Sequence, residues 1–136
     1  MATGTAGTTA RAHNELGCEH FRRVNIVFGS AAKTYSLGFV PLGAIVVDAG
    51  VVVSTAFNSG TSDTLDIGTA ADTDGFATLL TLVTIGRIVA DEMATSNDLG
   101  PYTADTEIQA VYTPTGAAAT TGAAEAYVRY LLDNDG

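Results

Sequence analysis

The sequence predicts an all-β chain folded as an antiparallel β-sandwich, and three observations carry that reading. Thr, Ala, Gly, Val and Ser dominate, while charged residues make up only 15% of 136 positions. Apolar side chains recur at the two-residue period of a pleated strand, as in Ile108, Ala110 and Tyr112 against Gln109 and Val111. Clusters of Gly, Asn, Asp and Pro separate these runs and supply the turns. No repeat of roughly 20–50 residues is present, which excludes solenoids and propellers.

A chain of this length forms one domain and can bury roughly two-thirds of the surface its unfolded form exposes. Residues 1–17 are small and polar with almost nothing to bury, and are expected to form a flexible arm; residues 18–136 make the sandwich. The lone Cys18 has no partner for a disulfide within the chain and is expected to be a small buried thiol. No apolar run approaches the roughly 18 residues of a membrane span, and MATGTAGTTARAHNELG lacks the apolar centre of a secretory signal. The expectation is synthesis in the cytoplasm without membrane contact.

The first strand is predicted at His20–Phe28, with Arg22, Val24, Ile26 and Phe28 alternating against Arg23, Asn25 and Val27. Thr34–Val40 follows and ends at Pro41, which has no ladder donor. In LGAIVVDAGVVVSTAFN, the positions Ile45, Val47, Ala49, Val51, Val53, Thr55 and Phe57 keep one apolar phase. A turn has no reason to preserve phase, so this segment reads as one long strand bent near Gly50 and serving both sheets. Asn58–Thr61 is expected to be a hairpin turn returning through Asp63, Leu65 and Ile67, and Gly68–Gly75 a loop. Phe76–Leu82 has mixed spacing that fits either a helical turn or a short strand. Thr84–Ala90 is a strand and Asp91–Tyr102 a loop. The two alternating runs around TPTGAAATTG read as a closing hairpin. About eight strands result, the number a jelly roll requires.

The formal charge of −9 opposes a nucleic-acid role built on phosphate neutralisation. Residues 1–40 carry Arg11, Arg22, Arg23 and Lys33 against Glu15 and Glu19, a balance of +2; residues 41–136 carry Arg87 and Arg129 against thirteen carboxylates, a balance of −11. Such a division suggests one side that docks and another kept soluble by repulsion.

No motif carries chemistry. The acidic stretch SDTLDIGTAADTDGF reads as a solvated connection. In an EF-hand register, Asp72, Asp74 and Gly75 would place Ala70 and Thr81 at the first and twelfth positions, where oxygen ligands belong. His13, Cys18 and His20 fall short of a four-ligand zinc site, and Cys18 with His20 lacks the third group of a nucleophilic site. GSAAKTY has Ala32 where a phosphate loop needs the glycine before its lysine. There is no Trp to floor a sugar site. The reading is therefore no catalytic residue, no metal and no cofactor.

The run GAIVVDAGVVVSTAFNSGTSDTLDIGTAADTDGFA, with AVYTPTG and TTGAAEAYVRYLL, resembles the jelly-roll cement, or decoration, proteins of tailed-bacteriophage capsids, and is similar in size to the cement protein of the Bordetella phage type. The likeness covers about residues 42–132. It implies a non-enzymatic virion protein that binds the outer surface of an assembled capsid and bridges neighbouring subunits, with the major capsid protein as partner. Arg11, Arg22, Arg23 and Lys33 are the expected capsid contacts on the charge asymmetry. A homodimer through a sandwich face or edge strand is expected, because closed two-fold pairing is the commonest arrangement. The alternative is a carbohydrate- or calcium-dependent binding module of a phage tail or cell surface.

Overall fold

The computed structural model describes residues 19–132. Its strands are β1 (Glu19–Val27), β2 (Lys33–Val40), β3 (Ile45–Thr55), β4 (Ser62–Thr69), β5 (Ala77–Thr81), β6 (Gly86–Val89), β7 (Thr106–Thr115) and β8 (Ala123–Leu131). No helix forms among the described residues. Two antiparallel sheets have the orders β1-β8-β3-β6 and β2-β7-β4-β5. The first strand pairs the last, the second the seventh, the third the sixth and the fourth the fifth. One long hairpin, closed at β4–β5 and rolled up, produces that pattern, and the β3–β8 and β4–β7 ladders stitch the roll shut. This is a jelly roll, the topology that the resemblance implied and that a count of eight strands allows. The arm at 1–17, together with Arg11 and Cys18, lies outside the described residues.

Alternation supplies the core. Ile26, Val51, Val53 and Val128 point inward from the first sheet and meet Leu65, Ile67, Ile108 and Tyr112 from the second, all fully or almost fully buried. Each such side chain contributes about 1.5–3 kcal/mol by leaving water. Phe57 packs on Tyr112 with ring centroids 5.4 Å apart. Gly122 makes this fit possible: its φ is +148°, and a Cβ there would stand 2.6 Å from the Phe57 ring.

Two expectations are corrected. Both predicted hairpins are corners between sheets: β3 and β4 lie in opposite layers, as do β7 and β8. Turn residues specify that the chain reverses; they do not specify which sheet receives it. Next, β3 is one strand through Gly50, as its phase suggested, but it stays in a single sheet and its register shifts between Val46 and Asp48. The extra residue, Val47, is 39% exposed, whereas Val46 is buried, so the apolar phase changes side at the bulge instead of running from Ile45. Of the two readings open for Phe76–Leu82, the short strand holds, as β5. The mixed spacing there comes from a register shift against β4, with Leu79 at φ +55° and its N–H donating to Asp66 Oδ1 at 2.7 Å.

The acidic stretch is also only partly solvated. Asp72 and Asp74 are exposed, but Asp63 is 0% exposed. Its carboxylate accepts from Ser59 N–H at 2.8 Å, Ser59 Oγ–H at 2.6 Å and Tyr112 Oη–H at 2.7 Å, tying the β3–β4 corner to β7. A buried carboxylate is tolerable because three donors replace the water it lost.

Candidate interaction face

The outer surface of the β1-β8-β3-β6 sheet gathers side chains from four strands in transverse rows. One row holds Phe21, Arg129 and Asp48; the next Arg23, Tyr127, Gly50 and Val89; the next Asn25, Glu125, Val52 and Arg87. Asp48 is the hub. Its Oδ2 accepts from Arg87 Nη2 at 3.1 Å and Arg129 Nη2 at 2.8 Å, and its Oδ1 accepts from Ala49 N–H at 2.9 Å. Arg129 Nη1 also donates to Glu19 Oε2 at 2.7 Å, and Arg87 Nε donates to the Tyr127 hydroxyl at 2.7 Å. Arg23 reaches Glu125 at 3.6 Å across adjacent strands.

Both guanidiniums of the hub are held charged above their ordinary range. For Arg87 the Tyr127 hydroxyl contributes most and Asp48 adds to it; for Arg129 the Asp48 hydrogen bond leads and Glu19 reinforces it. The Tyr127 ring lies across Gly50, where a Cβ would stand 2.7 Å from its hydroxyl. Small residues at the centre and long ones around them leave a depression of about 430 Å³ bordered by Phe21, Val52, Tyr127 and the three arginines. A second, of about 500 Å³, opens beside it over Ala123, Ser54 and Val27.

The opposite face of the sandwich is more polar, though it too exposes Phe39, in the row of Glu107, and Leu79. Thr34, Ser36, Gln109, Thr113 and Thr64 occupy outward rows of the β2-β7-β4-β5 sheet, with Asp66 and Glu107 as its charges. Ser36 Oγ–H and Gln109 Nε2–H each donate to Glu107 at 2.7 Å and hold its carboxyl below the usual carboxylate range. At one end of the roll, Asp72, Asp74, Glu92 and Asp98 border a depression of about 330 Å³. The hydrogen bond to Asp72 leads in pushing the Asp74 carboxyl up. Among the described residues, no three His, Cys, Asp or Glu side chains are placed to hold a metal ion.

The predicted contact residues are not one cluster. Arg22 and Arg23 alternate to opposite sides of β1: Arg23 joins the face just described, while Arg22 lies along the seam beside Gly38 of β2. Lys33 begins β2, with its ammonium 4.8 Å from the Tyr35 ring centroid. Arg11 lies outside the described residues, as do His13 and Cys18. His20 stacks on Tyr130 with centroids 5.5 Å apart. Sequence reasoning assigned Arg87 and Arg129 to the acidic body and missed them. Their signal was available: they are the only cations after residue 40, and both hold outward phase in strands of a sandwich.

Fold and surface together define the chain as a jelly-roll sandwich with one mixed, arginine-rich face and an acidic remainder. The same fold occurs in a chain of the cyanophage Pam1 capsid asymmetric unit, with TM-score 0.66, 19% identity and 86% of each chain covered. It occurs again in the acidic stable capsid structure of Helicobacter pylori bacteriophage KHP30, with TM-score 0.64, 15% identity, and 85% of this chain and 89% of that one covered. No protein-family profile and no curated protein sequence matches.

Proposed function

We propose that the chain is a structural, non-enzymatic protein of a bacteriophage virion that binds the outer surface of the assembled capsid, bridges neighbouring subunits of the major capsid protein and pairs with itself. The observation that carries this reading is the end-to-end likeness to chains from two phage capsids, which spans at least 85% of this chain and of each of those. The surface supports it: a rigid sandwich presents one mixed face, while Asp66, Glu107 and the acidic end keep the remainder hydrated. One copy touching two or three lattice subunits would gain effective concentration, so each contact need not be strong.

Arg22 and Lys33 at the β1–β2 seam, Arg23 on the sheet face and Arg11 from the preceding segment are the cations proposed to meet the shell. The test is addition of purified protein to capsids stripped of it. Near-stoichiometric rebinding and a raised shell disruption temperature are expected. Deleting residues 1–17 and replacing Arg22 and Lys33 by Glu should each weaken rebinding at least tenfold, a loss of about 1.4 kcal/mol. Shells that withstand heat equally well with and without the protein would refute the proposal.

A further inference from the structure

We infer that the depression on the outer face of the β1-β8-β3-β6 sheet is a binding site for a neutral saccharide, formed by Phe21, Asp48, Arg87, Glu125 and Tyr127. The inference goes beyond the capsid reading and does not rest on it. Charge narrows the ligand first. Every guanidinium on this face already has a carboxylate: Asp48 for Arg87, Asp48 and Glu19 for Arg129, and Glu125 for Arg23. With charge balanced in this way, neither an anion nor a cation gains by entering. What the ion pairs leave over is hydrogen bonding of both kinds. Among the described residues, the Tyr127 hydroxyl accepts from Arg87 Nε but its own proton meets no acceptor, and Arg87 Nη1 meets none. The Glu125 carboxylate accepts no hydrogen bond there either, with Arg23 3.6 Å away. A ligand hydroxyl donates one hydrogen bond and accepts up to two, so one group serves a guanidinium and a carboxylate at once. Adjacent hydroxyls of a sugar ring suit donors and acceptors that stand side by side, as they do here. A peptide, by contrast, spaces its N–H and C=O groups along an extended backbone that suits a strand edge, whereas these unused groups are side chains projecting from the sheet.

The walls fit the same ligand. Phe21 is 57% exposed at the rim and presents a flat apolar ring, the kind of surface on which the C–H face of a pyranose packs. It serves where the sequence offers no Trp. Phe39 is 56% exposed on the other sheet, but its row holds Glu107, whose carboxyl Ser36 and Gln109 already meet. The depression of about 430 Å³ falls in the range of about 300–1,000 Å³ usual for small-ligand sites. Its ion pairs also fix the polar side chains before a ligand arrives, which lowers the ordering cost of binding. Docking to a shell along the β1–β2 seam, where Arg22 and Lys33 lie, leaves the part of this face over β8, β3 and β6 open.

Titration of the isotope-labelled full chain with methyl glucoside, methyl galactoside and methyl mannoside, followed by amide chemical shifts, tests this. At least one should bind with a dissociation constant of about 1 mM or tighter, and the shifts should centre on Phe21, Asp48, Arg87 and Tyr127. Phe21→Ser and Arg87→Ala should each weaken that binding roughly tenfold or more. Both should fold, because Phe21 is exposed and Asp48 keeps Arg129 when Arg87 is lost. Phe39→Ser, on the other sheet, should bind as the wild type does. No binding of any of the three at about 10 mM, shifts centred elsewhere, or equal losses from Phe39→Ser and Phe21→Ser would overturn the inference. Tighter binding of glucuronate or of tetraglycine than of the neutral sugars would overturn it too, by making the face an anion or a peptide surface. If one variant fails to fold, the other decides. Sugar binding by a protein that ignores capsids would sink the capsid reading and leave this site standing; capsid binding without sugar binding would do the reverse.

Discussion

Asp63 shows how much one side chain decides. A carboxylate at full burial is costly unless its lone pairs are met, and here Ser59 and Tyr112 meet them. Asp63→Ala removes the acceptor and strands the Tyr112 hydroxyl in the core, so it should cost about 2–4 kcal/mol in urea unfolding. Tyr112→Phe removes one bond of three and leaves Ser59 in place, so the loss should be about 1–2 kcal/mol. Equal losses would mean that the carboxylate is held by something other than this triad. Within SDTLDIGTAADTDGF, only its strand phase with Leu65 and Ile67 separates Asp63 from Asp72 and Asp74 in the loop. One of the donors that make its burial tolerable, Tyr112, is 49 residues away and reaches Asp63 only once β4 and β7 pair within one sheet.

At the scale of elements, strand existence was legible and strand partnership was not. The phase of β3 through Gly50 showed a continuous strand, yet IVV contains no polar residue to mark the bulge at Val47. The β3–β4 and β7–β8 connections carry ordinary turn residues, and only the rolled topology makes them corners. The interaction face was hidden for the same reason. Asp48 meets Arg87 across 39 residues and Arg129 across 81, so its network follows from strand order. The register shift in β5 gives a direct test. Leu79 sits at φ +55° and is 61% exposed, a conformation that costs a branched residue about 1–2 kcal/mol and returns little burial. Leu79→Gly should therefore stabilise by about 1 kcal/mol in thermal unfolding, because glycine adopts positive φ without a Cβ clash. Destabilisation would show that the exposed leucine packs in a way its accessibility conceals.

For the whole molecule, the acidic surface, the buried Tyr112 phenol and the half-buried Tyr102 phenol together set the response to alkali. Tyr112 is pushed up first by burial and then by its hydrogen bond to Asp63, and Tyr102 by burial and then by Asp98. A phenol whose folded pKa exceeds its unfolded value contributes stability that is intact below the unfolded pKa and lost as pH rises through the folded one. Unfolded tyrosine ionises near pH 10, so the urea midpoint should begin to fall above about pH 10. The new negative charge adds to a surface already at −9, and salt should soften the fall by screening that part of it. The two contributions separate in a Tyr102→Phe, Tyr112→Phe variant: it starts less stable at neutral pH, yet its midpoint should change less between about pH 10 and 12 than that of the wild type. If both proteins lose the same stability over that interval, surface repulsion alone drives the alkaline transition and the two phenols take no part in it.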